Sequence, residues 1–336
     1  MVYTLKELVK IKYGKNQKDV ENPNGKYPIY GTGGLMSYAD KYLYDKPSVL
    51  IGRKGSISKV RFSDKPFWTV DTLFYTEVNE DIVIPKYLYY KMSAMDMSDY
   101  NEGTTIPSLR TDTLYRIELD IPNKKRQQRV VKILESLDNK IEINNEINNN
   151  LYYLIKNNYE ALIDNSDWEE VELGTISNIT SGKRPIDKLE VGNYPVIGAN
   201  GIMAYTSDYN FNEDLIITGR VGTLGVVKRY SDFIWASDNT LVIQTKYLNY
   251  IENYLRTIDY YSLNRGSTQP LLTQGDLKKQ IISFNEDLVT KFEEDNQVFI
   301  DKIRNNEKEN IKLVQLRDAL LPKLMIGEID LDNIEI

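Results

Sequence analysis

Cysteine and histidine are both absent from the 336 residues of this sequence. The lack of cysteine excludes disulfides, thiolate nucleophiles and cysteine-ligated zinc. The lack of histidine excludes Ser-His-Asp triads and histidine-ligated metals. A metal site would have to be built from carboxylates, and no carboxylate pair recurs in a metal-binding pattern. We therefore predict no metal site in this chain.

Export and membrane signals are also lacking. The first residues contain no basic segment followed by an apolar one, and no apolar run approaches the roughly 18 residues that a transmembrane helix needs. We therefore expect a cytoplasmic protein that makes no membrane contact. Hydrophobic residues make up 41% and charged residues 27% of the chain, so it can bury a core. At about 150 residues per domain, the length predicts two domains.

Catalytic motifs are scarce as well. The phosphate-binding pattern G-x-x-x-x-G-K-[ST] is absent, because Gly182-Lys183-Arg184 lacks both the upstream glycine and the hydroxyl residue. No glycine-rich loop suits S-adenosylmethionine, and the Asn/Asp-Pro-Pro-aromatic motif of amino-methyltransferases is missing. The residues therefore favour a chain that is not itself an enzyme.

The most informative feature is an internal repeat at an offset of 167 residues. Between residues 27 and 71, 13 of the 45 aligned pairs are identical. The match resumes downstream, where residues 103–109 align with 266–272. The sequence therefore predicts one domain that occurs twice. The identical pairs include Tyr27/Tyr194, Pro28/Pro195, Gly31/Gly198, Met36/Met203, Arg53/Arg220, Trp68/Trp235 and Asp71/Asp238.

Each copy is followed by a long stretch that reads as a helix. Residues 127–162 contain neither glycine nor proline, and residues 288–324 contain no glycine and a single proline, Pro322. Both stretches carry heptad rows interrupted by asparagine, which favours two helices that bury each other in a defined register. The alternative is that each helix packs only on its own domain. The predicted seam comprises Leu134, Leu137, Ile141, Leu151 and Ile155, and Phe299, Ile303, Leu313 and Leu320.

These observations predict an α+β chain with four regions. Residues 1–126 and 166–287 form two similar, mixed and mostly β domains, in which short apolar runs such as residues 48–52 and 215–219 are strands. Residues 127–165 and 288–336 form the helical regions that separate them. The net charge is −7 overall, with +4 in residues 1–126 and −5 in residues 166–287. This acidity counts against nucleic-acid binding unless basic residues are locally concentrated.

Basic residues on predicted loops are the candidates for contacts to DNA. Arg53 and Arg220 lie in Gly-Arg-x-Gly sequences just after a strand, where a guanidinium could approach a phosphate or a guanine edge. Because Asp71 and Asp238 are repeated with them, each arginine could instead pair with its aspartate and brace the fold. The complete candidate set is Lys15, Arg53, Lys54, Lys59, Arg61, Arg110, Lys183, Arg184, Arg220, Lys228, Arg229 and Arg265.

Four runs of sequence resemble one known family. They are Tyr30-Gly31-Thr32-Gly33-Gly34, Val49-Leu50-Ile51-Gly52-Arg53-Lys54-Gly55-Ser56, Trp68-Thr69-Val70-Asp71-Thr72 and Gly103-Thr104-Thr105-Ile106-Pro107-Ser108-Leu109. The C-terminal run from Leu316 to Ile329 is similar too. Together they resemble the specificity subunits of Type I restriction–modification systems, and the resemblance covers essentially the whole chain.

The resemblance implies a division of labour. Each repeated domain would be a target-recognition domain that reads one half of a split site in double-stranded DNA through the major groove. The two long helices would pack as an antiparallel coiled coil that sets the spacing. The chain would bind no cofactor, and two methyltransferase (modification) subunits would dock on the helices and bring S-adenosylmethionine. Whether restriction subunits join them stays open.

Two other classes of protein remain as alternatives. Duplicated β domains could belong to a structural adaptor that binds protein or glycan ligands. Its complexes would be indifferent to DNA and to salt, whereas phosphate contacts weaken steeply as salt rises. The other alternative is an enzyme with an acidic metal site.

Overall fold

The computed structural model describes residues 1–164 and 168–331. The chain forms two compact units. The first unit comprises Met1–Ile143 and Lys308–Ile336, and the second unit comprises Asn144–Glu307. The predicted boundary between residues 165 and 166 lies outside the described residues, as does the end of the predicted helical region at residue 336.

The first unit begins with a mixed domain. In chain order its elements are β1 (Val2–Thr4), α1 (Leu5–Leu8), β2 (Val9–Tyr13), β3 (Tyr27–Gly31), β4 (Gly34–Ala39), β5 (Ser48–Gly52), β6 (Arg61–Ser63), β7 (Trp68–Thr69), β8 (Leu73–Val78), α2 (Pro85–Ser93), α3 (Thr111–Tyr115) and β9 (Glu118–Asp120). A 3₁₀ turn at Met97–Tyr100 separates α2 from α3. The long helix α4 (Lys124–Asp164) follows β9 and gives its residues up to Ile143 to this unit.

The strands of the first unit form three small sheets. The largest has the order β2-β8-β5-β6 and is antiparallel throughout. A second has the order β4-β3-β7, and β1 pairs with β9. Every residue of β5 is buried, which is the reason that this strand reads as an apolar run without alternation. The core includes Val49, Ile51 and Leu88, and the helix residues Val130 and Leu134 belong to the same cluster.

The second unit repeats this arrangement element for element. Its elements are β10 (Glu169–Glu172), α5 (Leu173–Ile176), β11 (Asn178–Ser181), β12 (Tyr194–Gly198), β13 (Gly201–Thr206), β14 (Leu215–Gly219), β15 (Lys228–Tyr230), β16 (Trp235–Ala236), β17 (Thr240–Gln244), α6 (Leu248–Thr257), α7 (Gln274–Lys278) and β18 (Ile281–Phe284). The sheets have the orders β11-β17-β14-β15, β13-β12-β16 and β10-β18. The predicted α+β fold with two similar domains is therefore confirmed. Helix α8 (Glu286–Ile326) closes the sequence of elements.

Within the first unit, α4 and α8 run antiparallel. Arg317 Nη1 lies 3.0 Å from Asp138 Oδ1, and Lys140 Nζ lies 3.2 Å from Glu309 Oε2. Beyond α8, the carbonyl of Ile329 accepts a 3.1 Å hydrogen bond from Arg126. Partner numbers on α8 fall as numbers on α4 rise, which defines the antiparallel direction.

Helix α8 continues through Pro322 to Ile326. Proline removes a backbone donor and costs about 3 kcal/mol in a helix interior. The last turn is nevertheless held because Leu324 and Met325 are buried in the core of the first unit. The main-chain carbonyl of Met325 also accepts a 3.0 Å bond from Lys91 on α2.

Within the second unit, the same two helices meet through asparagines. Asn306 Nδ2 donates to Asn148 Oδ1 at 2.8 Å, and both residues are buried. Asn158 Nδ2 donates to Asn296 Oδ1 at 2.9 Å. An amide needs its partner at one position of the facing helix, so these bonds select one register among those that an apolar seam would tolerate.

The predicted seam residues are either buried or partly buried. Leu134, Ile155 and Ile303 are buried. The other six are partly buried, namely Leu137, Ile141, Leu151, Phe299, Leu313 and Leu320. After Ile155 the next buried position is Tyr159 rather than residue 158, because the ring of Tyr159 packs against Tyr250 on α6 with centroids 5.4 Å apart. Each long helix thus packs both against the other helix and against the core of the adjoining domain.

We predict a strong energetic coupling between Asn148 and Asn306. Asn306→Leu should lower the free energy of unfolding by about 1–3 kcal/mol, because it leaves a buried amide oxygen without its donor. The double variant Asn148→Leu with Asn306→Leu should recover most of that loss, since neither amide of the pair is left unpaired. Urea denaturation of the wild type, Asn148→Leu, Asn306→Leu and the double variant measures the coupling. Additive losses would contradict it.

Candidate nucleic-acid interface

The sheet of the first unit gathers basic residues at one edge. Tyr13 at the end of β2 lies opposite Phe74, and Gly52 at the end of β5 lies opposite Leu73. The end of β2, the end of β5 and the start of β6 therefore meet at the same edge of an antiparallel sheet. We call the residues there the first basic edge: Lys15, Arg53, Lys54, Lys59 and Arg61.

The sheet of the second unit does the same. Ser181 at the end of β11 lies opposite Leu241, and Gly219 at the end of β14 lies opposite Thr240. Lys228 begins β15 at this edge. We call these residues the second basic edge: Lys183, Arg184, Arg220 and Lys228.

The repeated loop at 103–109 and its counterpart at 266–272 hold the Gly-Arg-x-Gly turns. In the first unit Gly55 N donates to the carbonyl of Pro107 at 2.9 Å, and Leu109 N donates to that of Arg53 at 2.9 Å. In the second unit Gly222 N donates to Pro270 at 2.9 Å, and Leu272 N donates to Arg220 at 2.8 Å. The Gly-Arg-x-Gly turn and the repeated loop are thus two parts of one hydrogen-bonded structure, and this explains why both occur in each unit.

A glycine is required at the end of each turn. Gly55 has φ +87° and Gly222 has φ +86°, a conformation in which a Cβ would be strained. The glycine thereby allows the chain to turn two residues after Arg53 or Arg220.

Arg53 and Arg220 make the same contact in the two units. Arg53 Nη1 donates to the main-chain carbonyl of Asp71 at 3.0 Å, and Arg220 Nη1 donates to that of Asp238 at 3.1 Å. The Arg53 guanidinium carbon also lies 5.1 Å from the centre of the Tyr13 ring. The aspartate backbone thus braces one nitrogen of each guanidinium, and both aspartates are themselves exposed.

Arg61 and Lys228 are equivalent residues of the two units. They align at the offset of 167 and both reach the turn of the adjacent hairpin. Arg61 Nη2 donates to the carbonyl of Thr32 at 3.4 Å, and Lys228 Nζ donates to that of Asn200 at 3.1 Å. A positive charge beside this hairpin is therefore common to both units.

Lys15 and Lys183 have hydrogen-bonded main-chain carbonyls and exposed side chains. Trp68 Nε1 donates to the carbonyl of Lys15 at 2.9 Å, and Trp235 Nε1 donates to that of Lys183 at 2.8 Å. No ion pair involving either lysine is found within residues 1–164 and 168–331. The repeated tryptophans thus hold the backbones of two lysines for which the described residues show no ion pair.

Arg110 and Arg265 lie near the edges but are paired with acids. Arg110 Nε lies 3.2 Å from Glu102 Oε2. Arg265 makes two bonds to Asp276, at 2.7 and 3.2 Å. The Arg265 guanidinium, together with the Thr273 hydroxyl, lowers the pKa of Asp276 to about 2, so this pair stays ionised at neutral pH.

Arg229 is directed away from the second basic edge. Its side chain is 10% exposed, with Nη2 3.1 Å from Glu252 Oε2 and 2.8 Å from Asn249 Oδ1 on α6. Successive side chains of a strand point to opposite faces, so the exposure of Lys228 turns Arg229 inward toward α6. The charge pattern of the sequence did not distinguish these two neighbours.

Sequence analysis missed two asparagines that shape the interface. Asn101 Oδ1 accepts bonds from Gly103 N and Ser108 N, both at 2.9 Å. Asn264 Oδ1 accepts equivalent bonds from Gly266 N and Leu271 N, again at 2.9 Å. The sequence did carry a signal for them. In the alignment of residues 103–109 with 266–272, Asn101 and Asn264 stand at matching positions, two residues before Gly103 and Gly266.

Metal-binding clusters and membrane-spanning helices are both absent from the described residues. Across residues 1–164 and 168–331, no cluster of three or more carboxylates could hold a metal ion. No helix in the same part of the chain combines the length and the apolar character that crossing a membrane requires.

Comparison with known proteins identifies the family. The profile described as "Type I restriction modification DNA specificity domain" matches residues 1–153 and 165–285. The Type I restriction enzyme MjaIX specificity subunit of Methanocaldococcus jannaschii is 26% identical, over 94% of this chain and 86% of that protein. The HindI specificity subunit of Haemophilus influenzae is 28% identical over 37% of this chain and 31% of its own length.

A solved structure shares the fold. The crystal structure of a Type I restriction–modification S subunit from M. genitalium superimposes with a TM-score of 0.61 at 22% identity, covering 97% of this chain and 96% of that one. The chain belongs to the Type I restriction–modification DNA specificity family, whose members are non-catalytic subunits. The resemblance stated from the sequence is therefore confirmed.

We predict that Asn101 and Asn264 each stabilise one basic edge locally. Asn264→Ala should speed hydrogen exchange at the Gly266 and Leu271 amides and cost about 1–2 kcal/mol of local stability, because two backbone donors lose their acceptor. Asn101→Ala serves as the matched control and should affect only Gly103 and Ser108. Unchanged exchange at Gly266 and Leu271 in the Asn264→Ala protein would contradict this role.

Proposed function

We propose that this chain reads a two-part site in double-stranded DNA, with one half read by each recognition domain. Residues 1–126 are assigned as the first recognition domain and residues 166–287 as the second. The helical regions 127–165 and 288–336 set the spacing between the half-sites. The chain performs no chemistry itself, in keeping with its family.

One observation carries this proposal: the same basic sheet edge is built twice from equivalent residues. The domains share a fold, but their edges differ in composition, with Lys54 in one where Val221 stands in the other. Shared contacts to phosphate and different contacts to bases are what two readers of unlike half-sites need. Local concentration of charge supports the proposal although the second domain is acidic overall, because phosphates respond to the nearby field.

The proposed contacts fall into three groups by their internal partners. Exposed side chains without an internal ion pair among the described residues are the primary phosphate contacts: Lys15, Lys54, Lys59, Lys183 and Arg184. Side chains anchored by a main-chain carbonyl lie at the turns: Arg53, Arg61, Arg220 and Lys228. Arg110 and Arg265 would have to break their ion pairs with Glu102 and Asp276 before they could contact a phosphate. We leave Arg229 out of the contact set because its side chain is largely covered and paired with Glu252.

The family assigns the chemistry to partners. We propose that two methyltransferase subunits dock on the helical regions, that they bind S-adenosylmethionine, and that this chain binds no cofactor. The complex would act in the cytoplasm, where its DNA is. Restriction subunits are a further partner that the residues of this chain neither require nor exclude.

The direct test is a comparison of methylated bases in a host with and without this gene, in the presence of its methyltransferase partner. We expect methylation at one two-part sequence with a fixed gap only when the gene is present. An unchanged methylome with an active partner would overturn the proposal.

Single substitutions separate reading from bracing. Arg53→Ala should relax or weaken one half-site and Arg220→Ala the other, while the unaffected half serves as the internal control. Lys10→Gln is a matched surface control, because Lys10 lies at the opposite end of β2 from Lys15. Loss of folding in Arg53→Ala, measured by urea denaturation, would show that bracing is the main role of this arginine.

We predict that lengthening both helices together changes only the gap. Each helix has 41 residues, and seven added residues extend a helix by about 10 Å, or about three base pairs of DNA. One heptad inserted after Ile143 and one after Glu307 leave the contacts within each unit intact. We expect unchanged half-sites separated by a gap about three base pairs longer. Altered half-sites would mean that the helices read bases.

A further inference from the structure

Two adjacent apolar side chains are exposed on the edge strand β4, and two more on its counterpart β13. Leu35 is 54% and Met36 57% exposed; Ile202 is 58% and Met203 46% exposed. Alternation along a regular strand would turn one of each pair inward. Here the register of the β3–β4 pair shifts between Ile29 and Tyr30, and that of β12–β13 shifts at the equivalent position. A bulge of this kind re-aims side chains and explains why both neighbours face out.

The hairpins carrying these pairs are built identically in the two units. Gly34 has φ +122° and Gly201 has φ +123°, so each strand enters through a conformation that favours glycine. A Cβ placed on Gly31 would lie 2.3 Å from Met36 Sδ, and one on Gly198 would lie 3.0 Å from Met203 Sδ. Each methionine therefore lies across a glycine of the neighbouring strand.

The apolar pairs adjoin the basic edges. Arg61 and Lys228 donate to carbonyls of the hairpin turns, at Thr32 and Asn200. A Cβ on Gly55 would lie 3.9 Å from Thr32 Oγ1, so the Gly-Arg-x-Gly turn touches the hairpin in the first unit. In the second unit, a Cβ on Gly219 would lie 3.1 Å from the Cβ of Ala199. In each unit a cation thus contacts the hairpin turn, and the exposed apolar pair follows the contacted turn residue two to four positions along the chain.

The charge around each pair indicates its occupant. Cations beside an apolar patch favour a polyanion that also presents apolar groups. In the major groove of DNA, the only apolar group on a base edge is the C5-methyl of thymine. An exposed Leu, Ile or Met can bury that methyl while nearby cations contact phosphates.

We propose that Leu35 with Met36, and Ile202 with Met203, are specificity-determining contacts that recognise a thymine methyl in the half-site read by their own domain. The inference rests on the proposed function and deepens it. It assigns a chemical feature of the target to side chains that carry neither charge nor a polar group.

The test uses the complex reconstituted with its methyltransferase partner. Each thymine of the two-part duplex is replaced in turn by deoxyuridine, which removes only the methyl group. We expect one replacement in each half-site to weaken binding by the wild-type complex about fourfold, the effect of one lost methyl contact. Leu35→Ala should be insensitive to that replacement in its own half-site and keep the wild-type sensitivity in the other. Ile202→Ala should show the reverse, so each variant is the matched control of the other.

Other outcomes would overturn the inference. If no single replacement changes the affinity of the wild-type complex, no thymine methyl is read. Leu35→Ala or Ile202→Ala could instead impair assembly with the methyltransferase when DNA is absent, and the apolar pairs would then be protein contacts. A different result would refute the proposed function as well. In that case the wild-type complex would bind the unsubstituted two-part duplex and a scrambled duplex equally well.

Discussion

The buried amide pair between Asn148 and Asn306 is the interaction on which the rest of the structure depends. An apolar heptad seam tolerates sliding by a turn, but a buried amide is satisfied in one register only. Within the second unit, this pair fixes the register of α4 against α8. The polar pairing defines that register at some cost in stability.

The basic edges arise from ordinary antiparallel topology. Alternate strand ends meet at one edge of a sheet, so a lysine after β2, an arginine after β5 and a cation at the start of β6 become neighbours without being close in sequence. Asn101 and the 103–109 loop then hold the arginine turn in place. The scaffold is shared between the two units, while individual residues at the basic edges differ, with Lys54 in one where Val221 stands in the other.

Much of this organisation could be predicted from the sequence. The duplication, the strands at residues 48–52 and 215–219 and the two long helices follow from spacing, apolar runs and the scarcity of glycine and proline. The state of individual basic residues could not be predicted. Arg229 and Lys228 are adjacent, yet Arg229 pairs with Glu252, whereas Lys228 is exposed and donates to the carbonyl of Asn200. Glu252 lies more than twenty residues away, so no local pattern shows that it packs beneath β15.

The sequence by itself determined that this chain carries one domain twice on a helical spacer, because periodicity and repetition are properties of the order of residues. Only the tertiary structure decided which cations stay exposed, which are paired with acids, and that exposed apolar pairs lie on both hairpins. Those outcomes depend on side chains brought together by strand pairing and by a bulge, and the energy of such contacts is set by distance in space rather than by separation along the chain.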